Sequence, residues 1–433
     1  MQPGDLLDLD VTSVAHGGVF VGRHDGRVVF VPDAIPGERV RVRLTDTRKS
    51  SFWRGDVVEV LDASPHRRPH VWRAADVDTA PEDRPGGADF GHIALPHQRE
   101  LKAEVVRDSL RRFAHVDLPV KIDALDEGDG TGWRTRVSLH VDESGRIGPF
   151  AARSHRVISV DELPLAAPAL AETALSPRAA APGRVDFVLP ADGSVRVIDR
   201  PETAPRRDAS GKDRRRGSRP QARPTHADRA DGPAFEVIEE QAGGRTFRLD
   251  AGGFWQVHRA AADTLYRAVS ESVAGAVDPD AWHLDLYGGV GLLAAALAEA
   301  GGPSTRVTSV EADARATEHA GDNLAQWLGA RAETGRVDRW LRGLEQTASA
   351  PQLERLTRGV VVLDPPRVGA GREVVERLAD LAPARIVYVA CDPVALARDL
   401  GTFAERGYTT DAVHAFDLFP HSHHIEAVAV LTR

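Results

Sequence analysis

From residue 283 onward, short apolar runs alternate with amphipathic stretches, and this alternation limits the possible folds more than any other feature of the chain. Runs at 283–287, 306–311, 359–364 and 385–390 read as buried strands, because each is short, largely apolar and closed by a turn or polar break. Helical patterns follow to 300, to 328, from 371, and from 393 to 404, and strand-like runs at 412–416 and 425–431 close the sequence. Strands that alternate with helices form a mostly parallel sheet covered on both faces. Open sheets of this kind bind ligands beyond the carboxyl ends of their strands, so the residues that end each run are the ones to read for chemistry.

A chain of 433 residues exceeds one ordinary core, and two or three domains are expected. Residues 5–60 alternate apolar and polar positions, as in Leu6-Leu7-Asp8-Leu9-Asp10-Val11 and Val40-Arg41-Val42-Arg43-Leu44, with His16-Gly17-Gly18, Asp25-Gly26 and Pro36-Gly37 as turns. That spacing predicts a small closed β-barrel over 1–62, with any other small β-domain as the alternative. A helical pattern at 97–115 places Leu101, Val105, Leu110 and Phe113 near one face, and 133–160 alternates again. Residues 63–250 therefore read as a mostly β central domain, and 251–433 as the catalytic domain. Within the central domain, 200–232 mixes many arginines with Pro, Ser, Gly and Ala and keeps no apolar period. That composition predicts a disordered basic insertion, either an RNA tether or a solvated loop without a role.

The totals exclude several classes. Hydrophobic residues at 42% and charged residues at 27% describe a soluble globular protein, and no run of 18 apolar residues occurs. Met1-Gln2-Pro3-Gly4-Asp5 lacks the layout of a secretion signal, so a cytoplasmic location and no membrane partner are expected. The net charge of −9 argues against coating nucleic acid by bulk attraction, although a locally basic groove stays open. One cysteine forms no internal disulfide and supplies no Cys-based zinc or iron–sulfur site.

The first strand of the alternating region ends in Asp285-Leu286-Tyr287-Gly288-Gly289-Val290-Gly291. Gly289 and Gly291 would let backbone approach a ligand at the next helix's N-terminus. The dinucleotide fingerprint is incomplete, since Ala294 stands three positions after Gly291. Glu311, 20 positions after Gly291 at the end of the next strand, is placed to accept both ribose hydroxyls of an adenosine. Asp285 suits a cofactor carrying an amino group rather than a pyrophosphate, which favours S-adenosylmethionine, with NAD as the alternative. Asp364-Pro365-Pro366-Arg367 would turn the chain across the top of the sheet, unless the proline pair only ends a strand. Arg367 stands where enzymes that methylate exocyclic nitrogens place an aromatic ring, which argues against nitrogen as the acceptor.

Cys391, the one cysteine, ends Ile386-Val387-Tyr388-Val389-Ala390 and precedes Asp392-Pro393. A lone cysteine on a buried strand is usually inert packing, but the carboxyl end of a cofactor-binding sheet is where a nucleophile would stand. Carbon 5 of uracil is a poor nucleophile until a thiolate adds to carbon 6. The resulting enolate attacks a sulfonium methyl, and a base must then remove the carbon-5 proton so that the thiol can leave. A free thiol, with a pKa of about 8.5, is mostly protonated at neutral pH, so the site must activate it or take its proton as the bond forms. The candidate base is Glu426, opening the last strand after Phe419-Pro420-His421-Ser422-His423-His424-Ile425. Three histidines invite a metal reading. Adjacent His423 and His424 would point opposite ways on a strand, so no metal site is expected, and His424 is kept as an orienting neighbour.

Two resemblances sharpen these readings. Ala15-His16-Gly17-Gly18, Gly26-Arg27-Val28-Val29-Phe30-Val31 and Pro36-Gly37-Glu38 resemble a TRAM domain, an RNA-binding OB-like barrel. Phe254-Trp255-Gln256-Val257, the 285–291 loop, Asp364-Pro365-Pro366-Arg367, Cys391-Asp392-Pro393 and His424-Ile425-Glu426 resemble, in that order and over most of the chain, the RNA 5-methyluridine methyltransferase family. The resemblance implies an α/β fold with a class I, Rossmann-like methyltransferase domain. It implies Gln256, Tyr287, Glu311 and Asp364 as contacts of S-adenosylmethionine, Cys391 as nucleophile and Glu426 as proton-abstracting base. The barrel makes the chain look like the branch acting on large-subunit (23S) ribosomal RNA. That branch often holds an iron–sulfur cluster on four cysteines, whereas Gly86-Gly87-Ala88-Asp89-Phe90 has none. Asp392 and His258 stand where the family usually has Asn. The expectation is a monomeric RNA uracil-C5 methyltransferase without metal. The alternatives are a transfer-RNA or cytosine-C5 enzyme and a non-catalytic RNA-binding protein.

Overall fold

A computed structural model describes residues 1–125, 127–202 and 232–433; the basic stretch falls at 203–231, outside the described residues. Strands β1 (Leu6–Ala15), β2 (Val19–His24), β3 (Arg27–Val31), β4 (Arg39–Asp46) and β5 (Phe52–Asp62) close into a barrel in the order β1-β2-β3-β5-β4. Leu7 and Leu9 face Val42 and Val40 across the β1–β4 pair, and these side chains fill the interior with Val29, Val31 and Trp53. Period two in each strand therefore sorts one set inward and the other outward.

Residues 63–94 have little regular structure and are held by buried charge. The Arg67 guanidinium donates two hydrogen bonds to the buried Glu38 carboxylate at 2.6 and 2.7 Å. Arg84, 2% exposed, donates to Asp33 at 2.7 Å and to three backbone carbonyls. Such fully satisfied groups fix a loop that has too few apolar side chains to fix itself.

Helix α1 (Leu95–Ser109) continues through a single wider turn to Ala114 and leads to the short strand β6 (Ile122–Asp123). Val106, Leu110 and Ile122 pack into the core of the α/β domain, whereas Phe113 is exposed. The sequence reading placed this segment in the central domain. Its apolar stripe instead covers one face of the catalytic sheet, because β6 pairs with that sheet's edge.

The central sheet has the order β10-β9-β7-β8, formed by β7 (Arg136–Val141), β8 (Ile147–Gly148), β9 (Gly183–Val188) and β10 (Arg196–Pro201), with helix α2 (Pro168–Leu175) packed on it. The hairpin β11 (Val237–Ala242) and β12 (Arg245–Asp250) lies elsewhere. Its Ile238, Phe247 and Leu249 pack with Leu265 and Val269 of helix α3 (Ala261–Val273). The 250/251 boundary expected from sequence thus cuts through a unit that the apolar face of this hairpin joins to the catalytic core.

The α/β domain follows the expected alternation: β13 (His283–Leu286), α4 (Leu292–Gly301), β14 (Val307–Glu311), α5 (Ala314–Asn323), β15 (Ala330–Thr334), α6 (Val337–Thr347), α7 (Ala350–Thr357), β16 (Val360–Leu363), α8 (Arg372–Leu381), β17 (Arg385–Ala390), α9 (Pro393–Glu405), β18 (Thr409–Phe416) and β19 (Glu426–Thr432). Among the described residues the sheet has the order β15-β14-β13-β16-β17-β19-β18-β6, parallel from β15 to β17, with β19 antiparallel to β17 and to β18. Strands β16 and β17 are continuously apolar because both faces are covered: Val361, Leu363, Ile386 and Tyr388 meet one helix layer, Val360, Val362, Val387 and Val389 the other. No helix among the described residues is long and apolar enough to cross a membrane.

One buried ion pair joins α1 to the turn before β19. Lys102 Nζ, fully buried, lies 2.6 Å from Asp417 Oδ1 and donates to the Phe419 carbonyl at 3.0 Å. Lys102→Ala should lower stability by about 3–5 kcal/mol by stranding a buried carboxylate, while Lys102→Met with Asp417→Leu should cost far less. Chemical denaturation of the three proteins measures the difference; equal losses in both variants would contradict it.

Candidate active site

The carboxyl edge of the parallel strands gathers one candidate side chain from each of five neighbours. Glu311 ends β14, Tyr287 follows β13, Asp364 follows β16 and Cys391 follows β17. Glu426 reaches the same edge because β19 runs the other way, so its first residue lies where the parallel strands end. Ala390 pairs with Ala427, and continuing that register sets Cys391 opposite Glu426. Such cross-strand neighbours have Cβ atoms about 4.5–5.5 Å apart. Alternation also puts Asp364 beyond Val362, Cys391 beyond Val389 and Glu426 before Val428, all on one face.

That face opens into a cavity of about 730 Å3 lined by Gln256, Tyr287, Gly289, Glu311, Asp364, Cys391 and Glu426, with Arg134, Phe254, Arg367 and His424 around them. Tyr287 has φ 62°, a left-handed conformation that costs a bulky residue energy and directs the turn over the cavity. Gly288 has no substitute there: a Cβ would lie 2.0 Å from Ser309 Oγ. The Gly289 N–H donates to Glu311 Oε2 at 3.2 Å, and the Asp313 N–H donates to Glu311 Oε1 at 2.8 Å, which aims that carboxylate. Gln256 is held from outside the sheet. Thr135 N–H donates to the Val257 carbonyl at 2.8 Å, Arg136 donates to the Ala251 and Gly253 carbonyls, and buried His258 stacks on Trp133 at 5.4 Å. The central domain thus clamps the loop that carries Gln256.

Two expected cofactor residues do not line this cavity. Asp285 is fully buried behind the turn, where its Oδ2 accepts from Ser309 at 2.8 Å, and Gly291 packs its α carbon toward Leu324 and Ala320 at the start of α4. Both shape the loop from behind. Asp285 shares the face of its register partner Val362, one level below Asp364, and the turn at Gly288 closes over it.

Burial and like charge dominate the electrostatics. Burial pushes Asp285 up to about 7, against the Ser309 hydrogen bond. Burial and then Asp285 push Asp364 up to about 7, and no group among the described residues donates a hydrogen bond to it. Glu426 lies well above the usual carboxylate range for the same two kinds of reason, burial and Asp364, with Arg367 opposing. Burial, then Glu426 and Asp364, push the Cys391 thiol up to about 11, again against Arg367. Arg367 is therefore the counter-charge of the cluster, a role that its reading as a missing aromatic did not suggest.

A second cavity of about 170 Å3 lies beside Cys391, and the barrel forms part of its wall through Ala15–Gly18. His16 Nε2 lies 2.8 Å from Asp392 Oδ2, while Asp392 Oδ1 caps α9 by accepting from Val394 N and Ala395 N. Burial raises the Asp392 carboxyl, but the His16 contact and the Ala395 and Val394 N–H groups together outweigh it, and the group lies below its ordinary range. The residue after Cys391 is thus tied to another domain, which no local pattern reveals. Gly18 comes so close that a Cβ would meet the His423 ring at 2.8 Å.

The histidines correct one premise. His423 and His424 do not point opposite ways: they lie in an irregular turn, with His421 at φ 64°, and their rings are 4.2 Å apart. His423 binds Asp89 at 2.8 Å, and burial followed by His423 and Arg367 push His424 down to about 3. Among the described residues no group of three His, Cys, Asp or Glu side chains is arranged to hold a metal.

Similar proteins were found at the level of family, chain and fold. The TRAM domain family matches residues 2–58, and the tRNA (Uracil-5-)-methyltransferase family matches residues 339–433. An uncharacterised RNA methyltransferase of Streptomyces avermitilis is 38% identical, covering 99% of this chain and 98% of its own length. Another, from Bifidobacterium longum, is 35% identical over 98% of this chain and 96% of its own. A solved structure of the Pyrococcus abyssi tRNA (uracil-54, C5)-methyltransferase with S-adenosyl-L-homocysteine is 22% identical, with TM-score 0.66, covering 98% of this chain and 99% of that one. That likeness is one of fold, and at this coverage it takes in the barrel.

Because the thiolate is the reactive form, alkylation of Cys391 by iodoacetamide should rise about tenfold per pH unit and level off only near pH 11. Glu426→Gln removes a neighbouring negative charge, so its curve should move to lower pH; Arg367→Gln should move it up. A wild-type plateau at the pH of a free thiol would contradict the assigned environment.

Proposed function

This chain belongs to the TRAM-containing RNA methyltransferases with a catalytic domain of the tRNA (uracil-5-)-methyltransferase family, and on that premise we propose that it methylates carbon 5 of a uridine in RNA, using S-adenosylmethionine and a covalent bond to Cys391. The observation that carries the reading is the β17–β19 register, which sets a thiol opposite a carboxyl at the mouth of one cavity. Ribosomal RNA is the proposed target, with transfer RNA as the second reading that the test separates.

The residues suit this cofactor. Glu311 is pre-aimed by two backbone N–H groups, Asp364 is a carboxyl without a donor among the described residues, and Gln256, Tyr287 and Gly289 stand around the same space. When bound, S-adenosylmethionine supplies an electrophilic methyl on a positively charged sulfur. Asp364, raised by burial and Asp285, Glu426, raised by burial and Asp364, and Cys391, raised by burial, Glu426 and Asp364, are the groups whose ionisation such a charge favours.

Cys391 adds to carbon 6 of the ring. Its proton passes to water as the sulfur–carbon bond forms and the ring becomes the enolate, since a thiol near 11 holds almost no thiolate at neutral pH. Addition makes carbon 5 nucleophilic. Once carbon 5 carries the methyl group, Glu426 takes the remaining carbon-5 proton, the carbon–sulfur bond breaks, and the ring recovers its double bond. Arg367 offsets negative charge at both the sulfur and the carboxylate. Both faces of the pyrimidine must be reached, so the base enters unstacked; flipping costs a few kcal/mol, least in a loop.

Incubation with methyl-labelled cofactor and separated ribosomal and transfer RNA, followed by digestion to nucleosides, tests the proposal. Labelled 5-methyluridine is expected in the ribosomal fraction; label only in transfer RNA would move the target, and 5-methylcytidine would overturn the reaction. Glu426→Gln should slow turnover by about 10²–10⁴-fold and accumulate a covalent RNA–protein adduct visible on a denaturing gel. Cys391→Ala should form no adduct and lose at least about 10³-fold in activity. Normal turnover by the Glu426 variant would remove it as the base.

A further inference from the structure

The proton that leaves the Cys391 thiol needs a route out of the site. On the cofactor side, Glu426 must be free of a proton when the carbon-5 proton is taken. His424, which faces both cavities, is pushed down to about 3 by burial, His423 and Arg367, and is a very weak base. On the other side of the sulfur lies the cavity of about 170 Å3, which Cys391, Arg367 and His424 share with the larger one. At about 30 Å3 per molecule it has room for several waters, and its wall carries the polar partners that ordered water needs.

Two histidine–carboxylate pairs face this space. His16 Nε2 lies 2.8 Å from Asp392 Oδ2, and His423 Nδ1 lies 2.8 Å from Asp89 Oδ2. The two rings differ in their surroundings. His423 lies 4.2 Å from the His424 ring and against Gly18, so a proton on it would meet a second imidazole. His16 stands in the turn between β1 and β2, and its side chain is 46% exposed, which opens a path from the cavity to solvent. Asp392 follows Cys391 directly and is fixed by the N–H groups of Val394 and Ala395. With its Nε2–H donated to that carboxylate, His16 keeps Nδ1 as an acceptor, and no hydrogen bond among the described residues occupies it. An imidazole held by a carboxylate at one nitrogen and open at the other has the arrangement of a general base. The other charged or titratable groups of the cavity wall are His423, His424, Arg367 and Lys102, and Lys102 is committed to Asp417.

We propose that His16, oriented by Asp392, receives the thiol proton of Cys391 through water in the barrel-side cavity. The proposal rests on the methyltransferase reading and adds the group that accepts this proton. As sulfur bonds to carbon 6, the S–H proton passes to a cavity water, and that water gives one of its own protons to Nδ1. The electron pair of the carbon 5–carbon 6 double bond moves into the ring to form the enolate. When the carbon–sulfur bond later breaks, the departing thiolate takes a proton back from the imidazolium by the same path.

Adduct formation by the full-length protein, in a Glu426→Gln background with S-adenosylmethionine and total RNA, is timed over a single turnover between about pH 6 and pH 10. Calorimetric affinity for S-adenosylmethionine checks that each variant is folded. His16→Gln keeps a donor for Asp392 but takes no proton, and near neutral pH it should slow adduct formation by about 10²-fold. Asp392→Asn, whose amide oxygen still caps α9, should slow it by about 10- to 100-fold. With His16 present the rate should level off by about pH 8, where histidines are neutral; without it the rate should keep rising by about tenfold per unit. An unchanged rate and profile in His16→Gln overturn the proposal, as does a loss found in His423→Gln in place of His16→Gln. A loss equal at every pH, with weakened cofactor binding, marks a purely structural tie and overturns it too. If the protein with His16 intact forms no adduct on any RNA, the covalent reading falls and the relay with it, whereas adducts indifferent to His16 remove the relay alone.

Discussion

The antiparallel pairing of β19 with β17 is the constraint on which the site depends. A wholly parallel sheet would deliver the last strand's first residue to the opposite edge from Cys391. Reversing that strand brings Glu426 back to the ligand edge, and the Ala390–Ala427 pair fixes it within one residue of register. A slip by one position would turn Glu426 to the other face, since side chains alternate along a strand. The turn before β19 is accordingly the most heavily anchored irregular segment at the site. Lys102 holds Asp417 and the Phe419 carbonyl, Gln98 brackets His421 through its backbone N–H and ring, and Asp89 holds His423.

The accessory domains work on the site rather than beside it. The central domain supplies backbone and guanidinium partners for the loop bearing Gln256, and the barrel lends His16 to the residue after Cys391. Covalent chemistry on a base needs the thiol, the carboxyl and the methyl donor held in one arrangement, and small misplacements are costly. The barrel, the central sheet and the α/β domain each contribute hydrogen bonds around that one edge.

Acidic crowding is the chemical character of the cavity. Burial comes first for each group; Asp285 then raises Asp364, Asp364 raises Glu426, and both Glu426 and Asp364 raise the thiol, with Arg367 only partly compensating at Glu426 and the thiol. The resting site is thus biased toward protonated, uncharged groups, which a cationic ligand would reverse. A thiol held up near 11 is also poorly reactive toward adventitious electrophiles, so the crowding protects it.

The sequence alone determined the parallel α/β pattern, the barrel, and the positions of Cys391, Glu311, Asp364 and Glu426 at strand ends, because period-two burial and turn residues are written locally. It also named Gln256 and Tyr287 through the resemblance of their motifs. Tertiary structure decided what depends on contacts distant in sequence. Helix α1 and the β11–β12 hairpin joined the catalytic core, since an apolar stripe shows that a face is buried but not against what. Asp285 and Gly291 went behind the 287–291 turn, because how closely a glycine-rich turn folds back over its own strand has no one-dimensional signature. His16 met Asp392, 376 positions away, and Arg367 became the counter-charge of the acids, because electrostatic neighbours are set by packing and not by order along the chain.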